Sequence, residues 1–222
     1  MTTLETLPRR VRHAAQRASR PPRPPAGDAR EQVLVYTALE LLRSGVFADA
    51  TIADLAAAAG ISRATFYFYF ASKEALLASV LDRSVQGFSD RIAGLLGAGR
   101  TADAADALTR SVQAAAQLWW DHAPVLVAGF ELGARHAAVY ERTQSNLAVV
   151  LEPTSALLQR VRRVPEAADP ERADVLVLAL MLMTERSLYH LMRGSPTLDD
   201  RRRTTEGLVA IWLRAFGLEE ER

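Results

Sequence analysis

The chain contains no cysteine. That excludes a disulfide framework, a thiolate nucleophile and a zinc–thiolate site, and it fits a reducing compartment. Lysine is nearly absent as well: Lys73 is the one lysine among 27 basic residues. Glycine and proline number only 12 and 10, and their scarcity outside a few clusters favours helix over sheet. The four histidines, His13, His122, His136 and His190, show no metal-ligand spacing. There is no Gly-x-Ser-x-Gly, phosphate loop or dinucleotide fingerprint. These gaps argue against an enzyme, a metal site or a cofactor. The opening MTTLETLPRRVRHAAQR lacks the apolar run of a signal peptide, and the most apolar later run, Val175–Met183, is short for a bilayer. The expectation is a soluble, cytoplasmic chain with no membrane segment.

What is present is apolar. Of 222 residues, 49% are hydrophobic, enough for a sizeable core. The net charge of +1 hides an asymmetry. Residues 1–27 carry six arginines against Glu5, a net of +5, while the remainder carries 21 basic and 25 acidic residues, a net of −4. This arm ends in PPRPPAG, which cannot continue a helix. A basic, proline-rich arm suits a polyanionic partner, and it also suits a solubilising tail.

Helical spacing dominates the rest. Asp28 and Glu31 form a capping-box pattern ahead of Val33, Leu34, Ala38, Leu41 and Leu42, and Gly45 stops that helix. Thr51 and Asp54 cap a second helix, which Gly60 ends. Ser62 caps a third after only Ile61, the pattern of a helix-turn-helix. The next helix starts at Ser72 and runs towards Leu96, before a break at 97–102. Asp103–His122 is helical, and Pro124 restarts a segment ending near Ala138. Tyr140–Val164 is helical, with Pro153 expected to kink or restart it. Asp169-Pro170-Glu171 is a start signal for a helix ending at Gly194, and Thr197 with Asp200 caps the last, which closes at Gly217. No segment alternates with period two. The fold class is all-α, about nine helices.

Phe66 to Phe70 are five consecutive aromatics between Arg63 and Lys73. On a helix, Phe66 and Phe70 share a core-facing side, and Arg63, Thr65, Tyr67 and Tyr69 cannot all join them. The small Ser62 and Ala64 allow close approach, and a helix start offers N–H groups to an anion. Lys73 in a first turn opposes the macrodipole, which a phosphate partner would explain.

TIADLAAAAG at 51–60 and ISRATFYFYFASKEALL at 61–77 resemble the DNA-binding region of TetR-family transcriptional regulators. The resemblance covers residues 28–85. MLMTERSLY at 181–189 and AIWLRAFG at 210–217 resemble the mycobacterial ethionamide-resistance branch of that family. It implies a basic arm at 1–27, a DNA-binding domain at 28–73, and a ligand-binding and dimerisation domain at 74–222 whose residues 74–96 form the connecting helix. The implied function is a repressor that binds double-stranded operator DNA as a homodimer and is released by a small apolar effector. Arg63 is the candidate base contact, Thr65 contacts a base or phosphate, and Thr51, Ser62, Tyr67, Tyr69 and Lys73 form the rest of the DNA surface. Matching that branch gives Leu108, Val112, Ala115, Trp119, Tyr140, Leu147, Met181, Thr184 and Trp212 as ligand-lining candidates; as bare residues, an apolar stripe is equally core. The branch has asparagines where Met181 and Thr184 stand, which implies a different or smaller ligand. The dimer seam is expected at helices near 170–193 and 198–217. An activator of the same fold and a helical small-molecule carrier with a vestigial head are the rival readings.

Overall fold

The computed structural model describes residues 29–85, 87–97, 103–133 and 135–219. The arm at 1–27, the Asp28 cap and residues 98–102 of the expected break lie outside the described residues. Among the described residues there are nine α-helices and no strand. They are α1 Ala29–Arg43, α2 Ile52–Ala58, α3 Arg63–Tyr69, α4 Lys73–Val85, α5 Phe88–Gly97, α6 Ala104–Gly133, α7 Ala137–Val161, α8 Pro170–Arg193 and α9 Leu198–Ala215, with a short 3-10 turn at Pro165–Ala168.

Capping chemistry sets the helix starts. Thr51 and Asp54 close a reciprocal capping box on α2, and Thr197 and Asp200 do the same on α9. The Asp169 carboxylate accepts from the N–H groups of Glu171 and Arg172, with Pro170 filling the first turn of α8. Gly60 turns the chain between α2 and α3 at φ +69°, a left-handed conformation that other residues adopt at a cost.

Three sequence expectations change. The helix expected from Ser72 to Leu96 is two helices, because Gly87 adopts φ +76° between α4 and α5. Pro153 does not restart its helix: α7 runs through it from Ala137 to Val161. Val149, whose carbonyl loses the proline's missing N–H, sits on an exposed turn at 54% exposure, where water can replace the donor. The restart expected at Pro124 is a kink inside α6, with His122 at φ −122°, ψ 19°.

The chain divides into two compact units. Among the described residues, one comprises 29–84 and 124–143 and the other comprises 85–123 and 144–219. Residues 124–143 thus pack with the N-terminal helices. Val125 and Val139, both 0% exposed, join Leu34, Leu41, Leu55, Phe66, Leu76 and Leu77 in one core. Gly129 lies so close to α4 that an added Cβ would meet the Leu81 side chain at 2.7 Å. Arg142 pairs with Asp82, and His136 stands 4.0 Å from Glu74.

In the second unit, α8 and α9 pack on each other. Val177 and Leu188 of α8 and Phe216 after α9 are each 0% exposed. α8 is the one described helix long and apolar enough to cross a membrane by length and composition. The helix passes on the mean composition of a longer window, a test that core helices also pass; its continuous apolar run is still Val175–Met183, preceded by Asp174. Glu185 and Arg186 follow it.

Candidate nucleic-acid interface

α2 and α3 pack together across the Gly60 turn. The side of α3 that faces the core is sealed: Phe66 is 0% exposed and Phe70 is 7% exposed. Their rings stand 6.1 Å apart. With these two anchored inward, the remaining side chains of α3 are directed to its flanks and outer surface.

Arg63 is exposed and lies along the helix towards Tyr67. Its guanidinium donates to the Tyr67 hydroxyl at 3.3 Å and stands 5.6 Å from that ring's centroid. Tyr67 is 45% exposed, and its ring meets that of Phe66 edge-on with centroids 5.8 Å apart. The Ser62 hydroxyl accepts from the Thr65 backbone N–H at 3.0 Å and pairs with the Thr65 hydroxyl at 2.8 Å. Tyr69 is half-buried and packs against the core. Thr51 is exposed, but its hydroxyl is occupied: it donates to the Asp54 carboxylate at 2.7 Å and accepts from the Asp54 N–H at 3.2 Å.

Lys73 does not project outward as a phosphate ligand. Its ammonium donates to three backbone carbonyls, Phe47 at 3.2 Å, Ala48 at 2.8 Å and Ala50 at 3.0 Å, and lies 5.4 Å from the Phe47 ring centroid. An ammonium has three N–H donors, and each has an acceptor here. Lys73 therefore ties the start of α4 to the loop between α1 and α2. These acceptors also account for a cation at a helix start, which sequence reasoning had explained by a phosphate. The neighbouring Glu74 carboxyl is held below its usual value. Burial opposes its charge, but its own backbone N–H and the Ser72 hydroxyl, then the charges of His136 and Lys73, outweigh that effect.

Phe68 was missed among the site candidates. It is 80% exposed, at the outermost position of α3. Helical geometry carries the signal for it: Phe68 lies two residues, about 200°, from the buried Phe66.

The ligand candidates separate. Leu108, Val112, Trp119, Met181, Thr184 and Trp212 are buried in the second unit, and Ala115 and Leu147 are partly buried there. Tyr140 belongs to the first unit and is 54% exposed. The Trp212 Nε1–H donates to the Thr184 hydroxyl at 2.8 Å, and that hydroxyl donates to the Leu180 carbonyl at 2.8 Å. Thr184 thus has its hydrogen bonds within the chain. An open cavity of about 370 Å³ lies elsewhere in this unit, beside Gln159, Arg160, Arg162 and Pro170, and contains none of the expected lining residues. No group of metal-ligating side chains occurs among the described residues.

Residues 34–80 match the family described as bacterial regulatory proteins, tetR family, and residues 108–216 match the C-terminal domain of the transcriptional regulator EthR. The chain is 33% identical over 192 residues to the HTH-type transcriptional regulator EthR of Mycobacterium tuberculosis H37Rv, covering 86% of this chain and 89% of that one. It is 32% identical over 196 residues to the protein of the same name from Mycolicibacterium smegmatis, covering 86% and 88%. Its fold is similar to that of the fatty acid degradation regulator FadR from Bacillus halodurans, with a TM-score of 0.67 at 16% identity over 89% of this chain and 100% of that one. The chain is a member of the tetR family of bacterial regulatory proteins, of the kind that carries an EthR-type C-terminal domain.

Proposed function

We propose that this protein is a cytoplasmic, ligand-responsive transcriptional repressor that binds operator DNA as a homodimer. The observation that carries this reading is α3. A seven-residue helix is pinned inward by Phe66 while Arg63, Tyr67 and Phe68 are exposed. A fold that needed α3 only for packing would not leave two aromatic rings and a guanidinium outside. Arg63 is the donor for a guanine edge once it leaves Tyr67, and Tyr67, Thr65 and Ser62 supply hydroxyls for phosphate oxygens. Tyr69 and Thr51 sit at the margin of this surface, and Lys73 supports it from behind. The DNA-binding role falls to residues 28–73, and ligand binding and dimerisation to 74–222.

The dimer seam is supported by apolar side chains left uncovered in the second unit. Val175 and Leu182 of α8 are 69% and 45% exposed, and Ile211 of α9 is 41% exposed. A second copy would cover the same residues on both chains, as two-fold symmetry requires. The effector is apolar and enters among Leu108, Val112, Trp119 and Met181, with the Thr184–Trp212 bond as its polar edge. It acts only through a difference in affinity for the DNA-competent and DNA-free states.

The test is a mobility-shift titration with fragments from upstream of the protein's own gene and its neighbours, at low ionic strength. A retarded complex on one fragment, but not on its scrambled counterpart, is expected. A carrier with a vestigial head would shift neither. An apolar compound that raises the melting temperature should also release the fragment.

A further inference from the structure

The outer ridge of α3 is apolar. At about 100° per residue, Ala64 and Phe68 lie one turn apart, and both are directed away from the buried Phe66. Ala64 is exposed, and Phe68 is 80% exposed. The polar side chains flank this ridge, Arg63 and Tyr67 on one side and Thr65 on the other. Arg63 is drawn further aside by its hydrogen bond to the Tyr67 hydroxyl. The Phe68 ring is steadied by Tyr69, which meets it edge to face with centroids 5.0 Å apart and planes at 85°. The ring stands on the outer side of the helix, flanked by Arg63, Tyr67 and Thr65, where a partner that meets this side meets it.

The head's own core does not require this ring, since Phe66 and Phe70 already close it. In the major groove, base edges present donors, acceptors and one apolar group, the thymine C5 methyl. A phenyl ring can neither donate to nor accept from the polar edges, and it leaves any polar group it covers without water. It therefore favours a position where a methyl projects. We propose that Phe68, with the Ala64 methyl beside it, reads thymine C5 methyl groups and is the chief sequence-selecting residue of α3. This rests on the reading of α3 as the helix that enters DNA. It moves base selection from the flanking Arg63 to an apolar contact, and Arg63 then adds a second, polar preference.

The test uses the full chain and an operator recovered by selection from random duplexes. Each thymine in turn is replaced by uracil, which removes only the C5 methyl. The wild-type chain is expected to lose about fourfold in affinity for each contacted methyl removed, the value of burying one such group, at one or more positions. Phe68→Ala should bind the thymine operator more weakly and bind the thymine and uracil operators equally. Arg63→Ala should bind both more weakly and keep the wild-type ratio between them. Phe68 is exposed, so equal melting temperatures for the wild type and Phe68→Ala should accompany these results. Phe68→Ala retaining the wild-type ratio would overturn the proposal. So would a wild-type chain that binds the operator and is indifferent to uracil at every position. If the selection recovers no duplex, the DNA-binding reading itself falls, and this proposal falls with it.

Discussion

Each unit leaves apolar surface uncovered, but with different neighbours. In the first, Phe68 is 80% exposed on a helix whose opposite side, Phe66, is sealed. Arg63, Thr65 and Tyr67 surround it, so the surface mixes one apolar ridge with hydrogen-bonding flanks. In the second, Val175 is 69% exposed on a helix whose other side, Val177, is sealed, and Leu182 continues the same apolar stripe. A mixed surface matches the grooves of a polyanion, which offer methyls, acceptors and phosphates together. A uniform stripe matches another copy of itself. Burial alone would have placed both in one class.

The units also differ in how they hold their polar groups. The first is tied across long sequence distances by a cation, since Lys73 reaches carbonyls 23 to 26 residues earlier. The second has cation ties too, Arg160 to the Leu96 carbonyl and Arg163 to that of Gly217, but its buried interior holds a neutral pair, Thr184 and Trp212. The largest expected effect concerns the first tie. Lys73→Met should lower the stability of the chain by about 3 kcal/mol, because it strips charged donors from three carbonyls. Denaturant unfolding measures this. Unchanged stability together with a salt slope of DNA binding reduced by about one would restore the phosphate role and break the contrast.

The second tie should cost less. Thr184→Val leaves the Trp212 N–H without its acceptor and should destabilise the chain by about 2 kcal/mol, read from thermal unfolding. An unchanged midpoint would mean that the second unit is not organised around this bond. Thr51→Ala removes the α2 cap and should cost about 1 kcal/mol, with a matching loss of helical signal on denaturant titration. The smallest effect is electrostatic. Burial raises the Glu185 carboxyl above its usual value. The folded chain then holds that proton more tightly than the unfolded chain does. Its contribution to stability is therefore fully present below the unfolded value and falls as pH rises through the folded one. Glu185→Gln should flatten the pH profile of the melting temperature in that window. A profile unchanged by the substitution would show that the carboxylate is neutralised in the assembled protein.

Much of the first unit was legible because its signals are local. Thr51 and Asp54 advertise a cap within four residues, Gly60 and Ile61 a turn, and Phe66 and Phe70 an inward side. Phe68 is legible by the same geometry, about 200° from Phe66, although it offers no hydrogen bond. The carbonyl partners of Lys73 lie in a loop more than twenty residues away, which no local pattern encodes. The packing of residues 124–143 with the N-terminal helices was hidden for the same reason. Periodicity marks Val125 and Val139 as apolar but not which core receives them. In the second unit, an apolar stripe reads alike whether it lines a pocket, fills a core or meets another chain. Tyr140 joins Trp119 and Trp212 through the resemblance alone, and it lies in the other unit.

Methylation protection on the selected operator tests the account most directly. The account predicts guanine N7 protection in two major-groove patches about one helical turn apart, with two protein chains bound per duplex and both patches weakened by Arg63→Ala. Protection confined to the minor groove, or a complex containing a single chain, would contradict it.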